Sequence, residues 1–444
     1  MGVMPVGKLL FTMAAPMMAS MLFQALYNIV DSIYVARLNQ DALNALSLAF
    51  PLQNLLIGFG VGTGVGLNAL ISRALGAKDQ ESADRAAGTG ILLYLIMSVI
   101  FALVGVFCAE PFFRSQTENA QIISYGTDYI TVVMGVSFAL FAQVLGERLL
   151  QSTGRTDLAM IPQLTGAVFN IIMDPIWIFG RYGFPRLEVR GAAVATVCGQ
   201  FLAAAIALYL NLRHNPEIRL RWKNIRFRKK IAADIYRIGF PSILMQCISS
   251  LMIFLLNQIL IGFTEAATAV LGAYFKIQSF VFMPCFGLNN AMIPIVSYNL
   301  GARKYERMRK TVWLTVATAV VIMVIGFVLF ETIPKTLLGM FSPTEEMLSV
   351  GVPALRIIGT HFPLAGFCII AGSACQAMGK PVYSLITSIF RQVVALIPAA
   401  YLLSLTGRLE LIWLCFPIAE VISLIFSAIF LKLAFGKVTE EEAK

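Results

Sequence analysis

Twelve apolar stretches, each long enough to cross a bilayer as a helix, follow one another through this chain of 444 residues. A helical crossing takes ~20 predominantly apolar residues. Lipid offers the backbone no hydrogen-bond partner, so its amides and carbonyls must pair within the segment, as a helix allows. The stretches begin near Lys8, Leu43, Ala86, Ala120, Leu158 and Gly191, and again near Ile235, Ala266, Val312, Glu346, Val382 and Glu410. Only 13% of the residues are charged, where soluble proteins carry about 25%. The reading is an all-α polytopic membrane protein of twelve transmembrane helices.

The longest interruption, Arg213 to Lys230, holds eight basic residues against one Glu. It divides the chain into a six-helix N-terminal lobe (1–212), a basic linker (213–232), a six-helix C-terminal lobe (233–435) and a tail (436–444). Placing the linker inside the cell puts roughly 24 of the 34 Lys and Arg at cytoplasmic ends, as the positive-inside rule asks. Both termini are then cytoplasmic. The loop with Arg181, Arg186 and Arg190 is a local exception. The net charge of +10 thus reflects topology, with the linker a tether beside anionic lipid and no nucleic-acid partner.

The two halves are related by a shift of 225 residues. Pro16 meets Pro241, Gln53 meets Gln278, Gly62 meets Gly287 and Ser72 meets Ser297. Leu75-Gly-Ala-Lys78 meets Leu300-Gly-Ala-Arg303, and Gln151-x-x-Gly154-Arg155 meets Gln376-x-x-Gly379-Lys380. Six spans per half return the second half in the same orientation. This is a parallel pseudo-twofold repeat, whose substrate site is expected between the lobes.

Polar residues inside the spans are few and grouped. In the first span Gln24, Tyr27, Asn28 and Tyr34 fall within roughly 60° of Asp31 around a helix. A carboxylate at membrane depth costs at least ~2.5 kcal/mol if it faces lipid, so Asp31 must face a cavity or a partner. The fifth span carries Asn170 and Asp174 one turn apart, with Pro175 freeing a carbonyl close by. The sixth opens with Gly191-Ala-Ala-Val-Ala-Thr196. Asp31, Asp174 and Thr196 all lie roughly 7–8 Å below the outer surface at 1.5 Å per residue, so they and Asn170 are expected to form one site. Such a site could take up a proton as a coupled pair, or hold Na+ at Asp31 and Asp174 through oxygen ligands. The 225 shift pairs Asp31 with Leu256, Asn170 with Ala395, Asp174 with Ala399 and Thr196 with Val421. A structural cluster would be expected in both halves, so the asymmetry favours function, and Glu331 and Glu420 are expected to tolerate amides better.

Other features point less sharply. Gly58-Phe-Gly60-Val-Gly62-Thr-Gly64-Val-Gly66 in the second span reads as close helix packing or local flexibility, since no strand precedes it as a dinucleotide loop requires. Seven Cys without C-x-x-C spacing and two His suggest neither disulfides nor a metal centre, and no Walker motif is present. Arg391, with Lys276 and Arg356, is either a substrate contact or a structural base. Met17, Phe50, Met283, Phe286 and Met292 either line an apolar cavity or pack between helices. Gln24, Tyr27, Asn28, Tyr34 and Gln53 complete the candidate cavity contacts. No nucleophile–base pair in the spans supports an enzyme, and no cofactor is called for.

The helix from Pro16 to Tyr27-Asn-Ile-Val-Asp31, the paired Leu-Gly-Ala-Lys/Arg loops, Gln151-Ser-Thr-Gly154-Arg155, Asn170-x-x-x-Asp174-Pro175 and Gly191-Ala-Ala-x-Ala-Thr196 together resemble multidrug and toxic compound extrusion (MATE) transporters. The similarity runs over essentially the whole chain and is greatest to the MepA-like bacterial branch. It implies a V of two six-helix lobes, monomeric, in the bacterial cytoplasmic membrane. It also implies export of amphipathic cationic drugs by antiport against H+ or Na+, through alternating access. The family's first-lobe cation site matches Asp31, Asn170, Asp174 and Thr196. Some relatives also carry acids in spans seven and ten, where this chain has Ser249 and neutral residues. A lipid-linked saccharide flippase of the same superfamily is the alternative, disfavoured by the number of spans.

Overall fold

Helices start ahead of the apolar edges, because a polar first turn projects past the membrane and caps each one. The computed structural model describes residues 1–220, 222–341 and 344–442; Arg221 of the linker and residues 443–444 of the tail lie outside them. The first half holds α1 (Val6–Ala36), α2 (Gln40–Gly76), α3 (Gln80–Gln116), α4 (Ala120–Gly135), α5 (Phe138–Ser152), α6 (Thr156–Phe179) and α7 (Glu188–His214). The second holds α8 (Lys229–Ile261), α9 (Glu265–Gly301), α10 (Tyr305–Thr332), α11 (Pro334–Gly339), α12 (Glu345–Gly359), α13 (Phe362–Ala377), α14 (Pro381–Ile389), α15 (Ile397–Ser404), α16 (Leu409–Ile412) and α17 (Cys415–Glu442). A π-helical segment, Phe390–Leu396, joins α14 to α15. Asn39 accepts from the Ala42 amide at 2.7 Å and Asp79 from the Ser82 amide at 3.0 Å, so orphan first-turn donors are satisfied.

Among the described residues ten helices are long and apolar enough to cross a membrane, or twelve if two bent pairs each count as one span. The pairs are α4–α5, bent by 46°, and α12–α13, bent by 50°. They occupy equivalent places in the two halves, the fourth and tenth spans.

The 225-residue offset recurs in the backbone. Lys78 and Arg303 both take positive φ, 60° and 56°, as do Gly154 and Gly379 at 83° and 75°. The Asp79 amide donates to Ala74 O at 2.9 Å and the Lys304 amide to Asn299 O at 2.8 Å. Ser72 Oγ donates to Ser152 O at 2.8 Å, and Ser297 Oγ to Ala377 O at 3.0 Å. The outward faces correspond as well. Ile96, Val99, Ile100 and Leu103 are exposed on α3, and their mates Val321, Val324, Ile325 and Val328 are exposed on α10. An apolar stripe at that helical spacing suits lipid.

Two compact units result, Ala19–Ile243 and Met1–Met18 with Leu244–Lys444. Both boundaries fall inside a helix, α1 at Met18 and α8 at Ile243, 225 residues apart. The core of the first unit accordingly includes Ala232 and Ile235 from the start of α8, and that of the second includes Leu9, Leu10, Met13 and Ala14 of α1.

The basic linker is not a free tether. The Arg219 amide donates to Asp84 Oδ1 at 2.9 Å, Gln80 Nε2 to Glu217 O at 2.6 Å, and Thr89 Oγ1 to Arg226 O at 3.2 Å. Gly88 lets the linker backbone at Asn224 lie directly on α3, since a Cβ there would sit 2.1 Å from Asn224 O. Small and polar residues on α3 set where the linker rests.

Candidate functional site

Antiparallel α6 and α7 are drawn together by glycines. A Cβ on Gly199 would sit 2.8 Å from Gly166 O, and one on Gly191 only 2.6 Å from Trp177 O. Backbones this close fix the register between the helices, and that register sets Asn170 opposite Thr196. With its amide nitrogen toward Asp174, Asn170 donates to Asp174 Oδ2 at 2.8 Å and accepts from Thr196 Oγ1 at 3.1 Å and the Thr196 amide at 3.0 Å. The reverse orientation keeps one contact, Nδ2 to Thr196 Oγ1, and turns the amide oxygen on a carboxylate. The first orientation satisfies both ends of the Asn170 amide.

Helix α1 supplies the remaining members. The Asp31 and Asp174 carboxyl groups lie within hydrogen-bonding reach of each other, and the Tyr27 side chain lies close to that of Thr196. Asp174 has no exposed surface. One oxygen on each acid, Asp31 Oδ1 and Asp174 Oδ1, is buried without a hydrogen-bond partner. Buried oxygens left unpaired cost ~1–3 kcal/mol each, a cost that a proton shared between the acids or a hard cation between them would remove.

The four expected residues Asp31, Asn170, Asp174 and Thr196 therefore meet within one unit, with Tyr27. Gln53 joins indirectly, donating from Nε2 to Tyr129 Oη at 2.7 Å. Gln24 lies farther along α1 and accepts from Gln163 Nε2 at 2.9 Å, while Ser20 Oγ donates to Gln163 Oε1 at 2.7 Å. Tyr34 is half-buried in the first unit's core, and Asn28 and Phe50 are exposed. Met17 is fully buried in the second unit, and its backbone lies against Gly287. Met292 is fully buried too, Met283 is half-buried, and Phe286 is exposed beside Phe282. Arg391 contacts Glu420 in the second unit.

Sequence reasoning misses three neighbours. Tyr129 is buried and close enough to Asp31 and Tyr27 to feel their charge. The 225 shift pairs it with Ala354, the same asymmetry that singles out Asp31. Gln163 is one polar residue in an apolar run and carries no signal of its own. Glu147 is another buried acid of the first unit, accepting from Gln143 Nε2 at 2.9 Å. It sits near the C-terminal end of α5. Among the described residues no group of three or more His, Cys, Asp or Glu could hold a metal ion.

Comparison with known proteins adds an independent line. The chain matches the MatE family model over residues 16–176 and again over 241–402, two matches that begin 225 residues apart. It is similar to the multidrug export protein MepA of Staphylococcus saprophyticus, 28% identical over 434 residues, 97% of this chain and 94% of that protein. It is also similar to the FAD transporter of Shewanella oneidensis, 25% identical over 419 residues, covering 94% and 92% of the two chains. A solved structure of a multidrug resistance MATE family transporter of the MOP superfamily, in an outward-facing conformation, superposes with a TM-score of 0.93. That match is 25% identical and covers 98% of this chain and 97% of the other.

Proposed function

The chain belongs to the MatE family of multidrug efflux transporters, and from that premise we propose that it is a secondary antiporter. It exports amphipathic cationic drugs across the bacterial cytoplasmic membrane in exchange for H+ or Na+. The observation that carries the coupling is the buried pair Asp31 and Asp174, each acid with one unpartnered oxygen. Two carboxyl groups within hydrogen-bonding reach can share a proton, since one must carry it for the bond to form. Alternatively both stay ionised, and Na+ takes the unpaired oxygens as ligands. Asn170, Thr196 and Tyr27 hold the acids in position in either case. Release of cation from this pair, in alternation with release of drug, gives exchange by alternating access.

The cargo follows from charge and from the relatives. The MepA protein is named for multidrug export, and the Shewanella protein for FAD, an anionic cargo. Two acids as the buried charges of the first-unit site favour a cationic cargo here. The test is efflux of a cationic dye, and separately of FAD, from proteoliposomes under imposed proton and sodium gradients. One gradient alone is expected to drive dye export. Transport of FAD but not dye overturns the cargo, and dye movement indifferent to both gradients overturns antiport.

Orientation belongs to the same proposal, with the basic linker and both termini cytoplasmic. Lys223 is exposed, so a cysteine placed there in a background lacking native cysteines should react with an impermeant thiol reagent only after the cells are opened. Labelling on intact cells inverts the topology.

A further inference from the structure

The second unit carries a buried polar centre of its own. Glu420 on α17 is only 4% exposed. Its Oε2 lies 3.7 Å from Arg391 Nη1, while its Oε1 is buried without a partner. Arg391 sits on the π-helical segment and is 29% exposed. Such segments are rare and concentrate at functional sites. From α13, the Cys368 thiol lies close to Glu420 and Ser423. His361 stacks on Phe416, centroids 5.8 Å apart, and its Nδ1 lies on Ile358 O, so Nδ1 carries the ring proton. From α9, Tyr274 packs on Phe416 with centroids at 5.5 Å. The titratable and charged groups facing Glu420 are thus Arg391, His361, Tyr274 and Cys368, with Cys415 on its own helix.

The centre is incompletely paired. Besides Glu420 Oε1, the buried Tyr274 Oη has no hydrogen-bond partner. An ion pair retained for structure alone would close with good geometry and further hydrogen bonds; this one has a single long contact of 3.7 Å. Apolar residues would fill the space at lower cost. The 225 shift makes Ala195 the mate of Glu420 and Gly166 the mate of Arg391. Each unit therefore sets a buried acid where its fifth and sixth spans pack, on different residues.

We propose that Glu420 is a second proton-binding site, which holds Arg391 when ionised and releases it when protonated. A proton fits better than a metal ion, because the guanidinium already lies beside one carboxylate oxygen and would repel a second cation. Protonation removes the charge that faces the guanidinium, and it leaves Arg391 free to turn to its exposed side. The repeat asymmetry suggests that Glu420 tolerates an amide; its burial beside Arg391 argues the opposite. The inference does not rest on the role of Asp31 and Asp174.

The test is infrared difference spectroscopy of the full chain in lipid nanodiscs between acid and alkaline buffer, reading the carboxyl-stretch band of protonated acids. A band that persists in the Asp31→Asn, Asp174→Asn double variant should be lost in Glu420→Gln and regained, displaced, in Glu420→Asp. Retention of every band in Glu420→Gln overturns the proposal. A spectrum that the double variant leaves unchanged, with the Glu420 band present, counts against the antiport site and supports this one. Should Glu420→Gln fail to fold, Arg391→Gln decides: the band's pH midpoint must move by at least about one unit, the size of effect a close charge exerts. An unmoved midpoint overturns the switch.

Discussion

Asp31→Asn and Asp174→Asn will each reduce gradient-driven efflux to the passive leak while leaving expression and equilibrium drug binding measurable. Each substitution nearly preserves size. Asn at 174 can still accept from Asn170, which donates to Asp174 Oδ2 at 2.8 Å, so the packing of α6 on α7 survives. What disappears is the group that takes up and releases a cation. A charge-assisted hydrogen bond contributes about 1.5–3 kcal/mol, so losing it from one state of the cycle alone slows exchange roughly ten- to hundredfold. Losing the exchangeable charge altogether removes the coupling. Asn170→Ala keeps both acids and is expected to slow efflux less. Glu331→Gln is the control, because Glu331 is partly exposed and pairs with Arg356 only at 4.0 Å. The measurement is initial dye efflux from proteoliposomes under one fixed gradient, alongside dye binding in detergent. Wild-type rates in both Asp→Asn variants would remove the first-unit site from the coupling mechanism.

The second large effect is on stability. A Cβ at Gly66 would stand 2.1 Å from Ile235 O, 3.0 Å from its carbonyl carbon and 3.2 Å from the Gly239 amide nitrogen. All three are backbone atoms of α8, so no side chain can turn aside. Gly66→Ala must push α2 from α8 inside the first unit. Overpacking costs about 1–3 kcal/mol where side chains can adjust, and the upper end or more is expected here. Gly272→Ala is the control. Nothing lies within 4 Å of its Cβ position, and removing glycine's backbone freedom in a helix contributes roughly 0.5–1 kcal/mol of stability. Thermal unfolding in detergent, followed by the loss of a monodisperse elution peak, reads both. A Gly66→Ala protein that melts with the wild type would mean the helices do not approach this closely.

These two predictions stand on different footings. The acids are legible in the amino-acid sequence itself. Carboxylates are costly at membrane depth, so Asp31 and Asp174 stand out in apolar runs, and the offset of 225 shows that their mates are Leu256 and Ala399. Span number and internal repeat are legible for the same kind of reason. The apolar length needed to cross a bilayer and the residues of the Leu-Gly-Ala-Lys/Arg loops are local properties of the chain.

Tertiary structure alone decided which faces meet. Periodicity tells which residues share one side of one helix, but not what that side packs against. Gly58 to Gly66 could be read as flexible or as tightly packed, because a missing side chain permits both; the α8 backbone against Gly62 and Gly66 resolves it. The same holds for Gly166 and Gly199, whose contact sets the register that brings Asn170 to Thr196. The importance of Tyr129 and Gln163 lies in neighbours far away along the chain. Glu420 is the sharpest case. Its charge is visible in the sequence, but its meaning depends on Arg391, His361 and Tyr274, carried on three other segments of the fold, because only packing determines which buried charges are close enough to govern one another.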